Sequence, residues 1–243
     1  MPTRTCLLLA LALGIPPTPG FAADKPFGVG PPGSWVLPLS LPARAAGAPR
    51  ESTGLRYLVL DRQIRAAAGE RQDYFHVAWK VETTAGLQDA SEIEIGFDPT
   101  FETLVIHYAR VLREGRAVWS FSPAEVLVAD AEQDREARLY NGERRATIPV
   151  EGLRVGDTVD YAYSLEGENP VLGGRFDAVL GFEYSRPVDR IHRRVVWQRA
   201  SLLRVNPRGA VPRPTVTKGA AETVYEWERA QAPAVRAEER TPS

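Results

Sequence analysis

Cysteine is almost missing from this sequence: the 243 residues include one, Cys6, and it lies in the N-terminal apolar stretch. If that stretch is a cleaved signal, the mature chain has no thiol. It can then form no disulfide, thiolate metal site or cysteine nucleophile. Histidine is nearly as scarce, and His76, His107 and His192 have no second ligand at metal-binding spacing. We expect them to be satisfied or solvent-facing residues of strands, and we predict no metal and no cofactor.

Catalytic motifs are also lacking. The sequence contains no nucleophile elbow, phosphate-binding loop or dinucleotide-binding glycine pattern. Composition and spacing therefore identify no catalytic residue.

The N-terminal apolar run, "CLLLALALGI", is too short to cross a bilayer. It follows Arg4 and precedes "PPTPG" and "GFAA", as in a cleavable secretory signal. We predict a signal at residues 1–22, cut after Ala22, and a periplasmic or secreted protein; an uncleaved anchor fits the Pro-rich flank less well. Removing 22 of the 243 residues leaves 221 and changes the net charge from −1 to −2. This balance predicts no affinity for nucleic acid or anionic membranes.

Proline, glycine and alanine dominate residues 23–52, which excludes a regular helix or a central strand there. We predict an extended arm, with disorder as the alternative. Trp35 lies in this arm and is a candidate for filling a groove or contacting a partner. Residues 231–243 are polar and rich in Pro and Ala, and they predict a linker towards a following domain. The β domain is expected between them, over residues 53–230.

That central region consists of short alternating segments separated by turns, which predicts an all-β fold, an antiparallel β-sandwich with at most one or two short helices. Residues 76–97 are predicted to form a hairpin, and residues 101–112 a strand with two mostly apolar faces. Ser122-Pro123 is a candidate helix start for residues 122–137, in competition with strand character in "EVLVA". Asn141-Gly142 predicts a tight hairpin turn.

The last predicted strand is "TVYEWER", in which Trp227 is expected to be a core residue. Three further tryptophans lie in apolar strand patterns and favour core packing over a sugar-binding platform: Trp79, Trp119 and Trp197. Acidic pairs occur at Glu92/Glu94, Asp157/Asp160 and Glu166/Glu168. Such pairs are more typical of a solvent-facing strand than of two catalytic carboxylates, and Asp157 is better explained as a turn residue.

The segment 186–213 is basic. It is a candidate surface for an anionic partner, with a solvated strand face as the alternative. The candidate residues are Arg190, His192, Arg193, Arg194, Arg199 and Arg204, with Arg186, Arg208 and Arg213 in the same segment.

Three stretches together resemble a known family. They are Asp98-Pro99 to Gly115, a long strand followed by a glycine turn; "LRVGDTVDYAY"; and the closing strand Tyr225–Trp227. In this order, over Leu55 to Glu239, the chain resembles the bacterial DUF3857 domain, a β-sandwich that precedes a transglutaminase-like domain in exported proteins.

The resemblance implies a non-catalytic accessory domain that docks or positions a transglutaminase-like domain, in cis or in trans. That domain would supply a Cys-His-Asp triad, and no catalytic residue transfers to this chain. The chain is then either the first part of a longer protein or a stand-alone version. Two alternatives remain: a module that binds cell-envelope glycan through the basic segment, and a hydrolase using paired carboxylates.

Overall fold

The computed structural model describes residues 26–42, 54–131 and 142–235. The predicted signal, the Asn141 turn residue and residues 236–243 of the predicted linker lie outside this part. Within it, the strands are β1 Gly28–Val29, β2 Leu55–Ala67, β3 Glu70–Val81, β4 Glu92–Phe97, β5 Thr103–Arg113, β6 Arg116–Ser120, β7 Leu127–Asp130, β8 Arg144–Pro149, β9 Thr158–Glu166, β10 Val188–Trp197, β11 Thr215–Lys218 and β12 Thr223–Ala232. The helices are α1, Ala85–Asp89, and a 3₁₀ turn, Pro170–Leu172.

The protein is mainly β, as predicted, and nine of the strands form one large mixed sheet. The strand order is β1-β5-β9-β3-β2-β10-β12-β11, and β6 pairs with β5. A purely antiparallel fold was the wrong expectation, because β10 runs parallel to β2, and β1 runs parallel to β5. Parallel neighbours need a long crossover connection. The segment 167–187 and the strands before it provide that connection for β10.

The predicted hairpin over residues 76–97 is wrong in its pairing. Both strands exist, but α1 lies between them, and β4 leaves the large sheet to pair with β8 in a second sheet of order β4-β8-β7. A close backbone approach accompanies this change of direction. A Cβ atom on Gly86 would lie 2.1 Å from the carbonyl oxygen of Gly54, so α1 packs against the start of β2 only with glycine there.

The predicted helix over residues 122–137 is also wrong in the part that the structure describes. Ser122 begins a turn, with the Glu125 amide donating to the Ser122 carbonyl at 3.0 Å, and β7 follows. The turn uses the same residues that favoured a helix start. Strand propensity in "LVAD" then decides the outcome, because β8 offers a partner strand.

One face of the large sheet is apolar and carries two clusters. The first packs β4 and β8 of the small sheet against β3, β5 and β9, with Ile93, Ile95 and Ile148 fully buried. The second packs the end of the sheet formed by β10 and β12 against the segment 176–184. Trp227 lies in this second cluster at 4% exposure, which confirms its prediction as a core residue. Within the described residues, no helix has the length and apolar character needed to span a membrane.

Candidate functional site

Charged and polar side chains line the opposite face of the large sheet, which we call the polar face. In a strand, alternate residues point to the same face, so paired strands bring such residues into rows. One row joins Tyr108, Ala162, His76, Asp61 and His192 across five strands. The rows on either side add Arg110 and Asp160, and Ser164, Tyr74, Gln63 and Arg194. Most of these groups are buried, which is unusual for ionisable side chains that are not paired.

His192 lies at the centre of the first charge cluster and is fully buried. Its Nδ1 is 2.7 Å from Asp61 Oδ1, and its Nε2 is 3.2 Å from Glu226 Oε1. Carboxylates accept hydrogen bonds and cannot donate them, so both ring nitrogens donate only when the ring is protonated. Burial alone would lower the pKa of His192, but the hydrogen bonds and charges of these two carboxylates outweigh burial and raise it.

Asp160 is the centre of the second charge cluster, at 1% exposure. It accepts from His76 Nε2 at 2.8 Å, and from Arg110 Nε and Nη2 at 2.9 and 2.7 Å. Burial alone would raise the pKa of Asp160. The hydrogen bonds and charges of His76 and Arg110 outweigh burial, and the pKa is lowered. Burial and the Asp160 charge raise the pKa of Tyr108, so this phenol keeps its proton near neutral pH and acts as a hydrogen-bond donor.

A serine and a histidine make the arrangement on this face that is nearest to a nucleophile with its base. Ser164 Oγ is 2.8 Å from His107 Nε2, and His107 Nδ1 is 2.8 Å from the carbonyl oxygen of Gly30. The carbonyl can only accept, so Nδ1 carries the proton and Nε2 accepts from the serine. Burial lowers the pKa of His107, which favours this neutral tautomer. However, Ser164 is buried at 4% exposure and lies in the middle of a strand, without access for a substrate.

Residues 26–42, which we call the arm, cross this polar face. Phe27 is buried in the apolar cluster, β1 follows the edge of β5, and the chain then passes over to the polar face. There Arg194 Nη1 donates to the Trp35 carbonyl at 2.7 Å. The Gln63 amide accepts from the Leu37 nitrogen at 2.9 Å and donates to the Leu37 carbonyl at 2.7 Å.

The arm ends over an apolar part of the same face. Leu39 and Leu41 pack against Leu58, Val59 and Ala78. Residues 26–42 thus lie along the polar face, with a turn in which the Val36 nitrogen donates to the Gly33 carbonyl at 3.0 Å. Trp35 contributes its backbone carbonyl, and its ring is half-buried.

Residues 67–236 match the family model described as "Domain of Unknown Function with solved-structure structure (DUF3857)". The chain belongs to the DUF3857 family. The match covers most of the described strands, from the end of β2 to the end of β12. The sequence matches no curated protein significantly.

Solved structures with a related fold are distant in sequence. A protease candidate from Parabacteroides distasonis has a TM-score of 0.62 at 16% identity, and the match covers 79% of this chain and 38% of that one. A nutrient-binding protein candidate from Legionella pneumophila has a TM-score of 0.33 at 11% identity, over 75% of this chain and 64% of that one. Yeast LTA4 hydrolase in complex with bestatin has a TM-score of 0.32 at 11% identity, over 82% and 31%. The DUF3857 chain therefore spans well under half the length of the protease candidate.

The "GDTVDYAY" stretch of the DUF3857 domain has a structural role. Gly156 has a φ of +98°, and Asp157 closes the turn by accepting from the Arg154 nitrogen at 2.8 Å, which confirms the turn prediction. Arg113 from the long strand β5 holds the same carboxylate with bonds of 2.9 and 2.8 Å. Tyr161 and Tyr163 stack in parallel with their ring centroids 6.2 Å apart, beside the apolar cluster.

The six basic residues predicted as one surface are not brought together on one exposed face. Arg190, His192 and Arg194 point to the polar face and Arg193 to the apolar face, as strand alternation requires. His192 and Arg193 are buried, which is incompatible with a solvated basic surface at these two positions. Arg193 donates to the carbonyls of Leu60 and Gly181 and to the Tyr184 hydroxyl instead.

The other predicted residues of this set also have internal partners or lie apart. Arg199 pairs with Glu168 and donates to the Gly174 carbonyl at 2.7 Å. Arg190 pairs with Glu228 at 3.0 Å, and Arg204 is exposed on an irregular segment. Only part of the predicted surface is therefore available to an anionic partner.

The predicted acidic pairs do not face each other across a cleft. Glu92 and Glu94 are exposed on β4, and Glu94 pairs with Arg145 at 3.2 Å. Asp157 and Asp160 are each held by different arginines, as described above. In the described residues no group of three or more His, Cys, Asp or Glu side chains is arranged to hold a metal ion.

The charge network was not predicted from the sequence, although a signal was present. The stretches "LDRQI", "DYFHV" and "VDYAY" each place an acid or a histidine inside a strand. Asp61, His76 and Asp160, one from each of three neighbouring strands, point to the same face, and together they are a signal of a covered polar face. Finding it requires the strand order, which periodicity does not give.

Proposed function

We propose that this DUF3857 protein is a non-catalytic accessory domain that docks and positions a transglutaminase-like catalytic domain, in cis or in trans, outside the cytoplasm. Two findings support the proposal. The family assignment fits the resemblance on which the expectation was based. In addition, the protease candidate of related fold has 62% of its length outside the matched region, which leaves room for a separate catalytic domain.

The groove beside the end of β12 is the observation that carries the proposal. It has a volume of about 450 Å³ and lies where the two apolar clusters meet, with Leu55, Tyr57, Leu60, Asp89, Tyr184, Ser185 and Arg186 along its walls. The chain passes its rim at its last described residues, because Tyr184 forms a bridge with Ala234 and accepts from the Val235 nitrogen at 2.8 Å. A domain attached after residue 235 would begin beside this groove.

The groove has the composition expected of a docking surface for a protein domain. Its lining combines apolar and aromatic residues with the ion pair Arg186–Asp89 at 2.8 Å, which is partly exposed. A mixture of apolar and charged residues is typical of interfaces between domains, in which charged pairs select the partner. The ionisable side chains of the polar face form hydrogen bonds and ion pairs with one another. We therefore assign catalysis to the partner domain.

A binding and activity assay tests the proposal. The chain is mixed with a transglutaminase-like domain encoded next to it, and binding is measured by calorimetry while peptide hydrolysis and amine transfer are followed. We expect no turnover by the DUF3857 chain alone, and binding that is weakened at least tenfold by Arg186→Asp. The matched control is Arg208→Asp, an exposed arginine outside the groove. Turnover by the isolated chain that one substitution abolishes, or equal binding by both variants, would refute the proposal.

Glycan binding stays a prediction, and fewer of the basic residues on which it was based are accessible. It now depends on Arg190, Arg194 and Arg204, because His192 and Arg193 are buried. Binding to an anionic polysaccharide at low salt that Arg204→Ala weakens would support it.

A further inference from the structure

Three side chains of the polar face form hydrogen bonds with the main chain of the arm. Gln63 accepts a hydrogen bond from the N–H of Leu37 and donates one to its C=O. Arg194 donates to the carbonyl of Trp35, and His107 donates to the carbonyl of Gly30. A side-chain amide that satisfies both main-chain groups of one residue recognises the backbone of that residue without regard to its side chain. The polar face thus has donors and acceptors placed for a peptide backbone.

Two of these groups, Gln63 and His107, are themselves held in place. Gln63 is fully buried, and its Nε2 also donates to Asp61 Oδ2 at 2.9 Å. Asp61 is fixed in turn by His192, and His107 is fixed by Ser164. A side chain positioned in this way loses little conformational freedom when a ligand binds, which favours binding.

Apart from Phe27, which belongs to the apolar core cluster, the arm lies on the surface of the sheet. Of its 17 residues, 26–42, only Phe27 is buried, and Leu37 is 41% exposed. A segment with few buried apolar contacts opens at a low free-energy cost. The arm contains five prolines and no charged residue.

The polar face tolerates exposure when the arm leaves. Its charges are paired with one another, through Asp61, His192 and Glu226 on one side and Asp160, His76 and Arg110 on the other. None of these ion pairs includes a residue of the arm. Departure of the whole arm breaks a few main-chain hydrogen bonds, including the short pairing of β1 with β5, and uncovers the apolar area under Leu39 and Leu41 and the site of Phe27.

We propose that the polar face is a peptide-binding groove for an extended, uncharged, proline-containing segment, that the arm is its occupant in cis, and that a segment of the same character from a partner chain can replace the arm. Proline suits such a ligand, since it keeps the free chain extended and lowers the entropy lost on binding. The inference does not depend on the proposed docking of a catalytic domain, which uses the groove lined by Arg186 on the opposite side of the sheet.

The test begins from the folded full-length chain. A recognition sequence for a site-specific protease replaces part of residues 43–50, and the folded protein is cut there. We expect the cut arm to co-elute with the domain in size-exclusion chromatography, and then to be displaced by excess fluorescent synthetic peptide of residues 26–42. A peptide of scrambled sequence serves as the ligand control.

Two sets of changes distinguish recognition of the peptide main chain from non-specific binding. Methylation of the Leu37 nitrogen in the peptide removes the donor that Gln63 reads, and we expect binding to fall about tenfold. Methylation at Leu39, whose nitrogen donates no bond within the described chain, is the matched control. On the protein, Gln63→Ala and Arg194→Ala are expected to speed loss of the cut arm at least tenfold, whereas Arg208→Ala is not.

Three results would overturn the inference. One is unfolding of the domain as soon as the arm is cut, because the arm would then be part of the core. Another is a cut arm that never exchanges with added peptide. The third is exchange that is equally fast for Gln63→Ala, Arg194→Ala and the unsubstituted protein. In contrast, Arg186→Asp is expected to leave peptide exchange unchanged, which separates this result from that of the docking experiment.

Discussion

Replacing Asp160 by alanine is expected to destabilise the domain more than any other single change on the polar face. The carboxylate is 1% exposed, and it accepts one hydrogen bond from His76 and two from Arg110. The His76 side chain is 3% exposed, so it would keep its polar nitrogen buried without this partner. Breaking a buried pair by removing one member typically costs about 3–5 kcal/mol. The exposed pair between Glu94 and Arg145 supplies the control, for which Glu94→Ala should cost about 0–1 kcal/mol.

Urea unfolding measures both variants, and the slopes must agree for the midpoints to be compared. Asp160→Asn should lower the free energy of unfolding less than Asp160→Ala does, because the amide keeps the shape of the side chain and one acceptor oxygen. The pKa of Asp160 is lowered in the folded protein, so its contribution is present above the unfolded pKa of about 4 and is lost as the pH falls through the lower folded pKa. The stability gap between wild type and Asp160→Asn should therefore narrow in acid. A loss below about 1 kcal/mol for Asp160→Ala would refute the assignment of a buried ion pair, since surface substitutions produce losses of that size.

The remaining predictions concern pH, backbone packing and the domain boundary. The pKa of His192 is raised, so its stabilising contribution is complete below the unfolded pKa of about 6.5 and is lost as the pH rises through the folded pKa; the stability gap between wild type and His192→Gln should be larger at pH 5.5 than at pH 8.5, and the reverse order would contradict this. Gly86→Ala should cost about 1–3 kcal/mol in urea unfolding, because the added Cβ meets a carbonyl oxygen, whereas Gly96→Ala, which meets nothing, should stay within about 0.5 kcal/mol. A chain ending at Ala221 lacks the last strand and should lose cooperative thermal unfolding, whereas one ending at Val235 should keep it; equal melting temperatures would place that strand outside the core.

Strand positions were largely predictable from the sequence, because alternation of apolar residues is a local signal. The strand predicted over residues 101–112 is observed as Thr103–Arg113, and the closing strand with Trp227 is also present. Partners were not predictable in the same way. Residues 76–97 contain two good strands joined by a polar stretch, and nothing local shows that the second strand belongs to another sheet. The helix α1 redirects the chain, and it depends on the contact between Gly86 and the distant Gly54.

The candidate site was harder to predict, for a related reason. In an antiparallel sheet one face is commonly solvated, so polar residues at every second position are normally assigned to water. Here the arm covers that face, and polar residues such as His76 and Gln63 are buried although their pattern is that of a surface. The arm is separated from β2 by residues whose sequence carries no signal of this contact. The six basic residues of one segment were grouped as a surface from their composition, but strand alternation divides the four on β10 between two faces, and Arg199 and Arg204 lie outside that strand.

The charge network also gives a physical reason for the parallel pairing of β2 with β10. No hairpin fixes the register of these two strands, because Asp61 and His192 are 131 residues apart in sequence. A slip of one residue would reverse every side chain of β10, moving His192 into the apolar cluster and Ile191 onto the polar face. The slip separates His192 from Asp61 and leaves both buried charges without a partner. Removing one partner of a buried pair costs several kcal/mol, whereas apolar side chains such as Val195 and Ile191 can exchange places with much smaller losses. The apolar residues oppose a slip of one residue, but a slip of two residues keeps every side chain on its own face. Such a slip separates His192 from Asp61, so the ion pair beneath the arm selects the observed register.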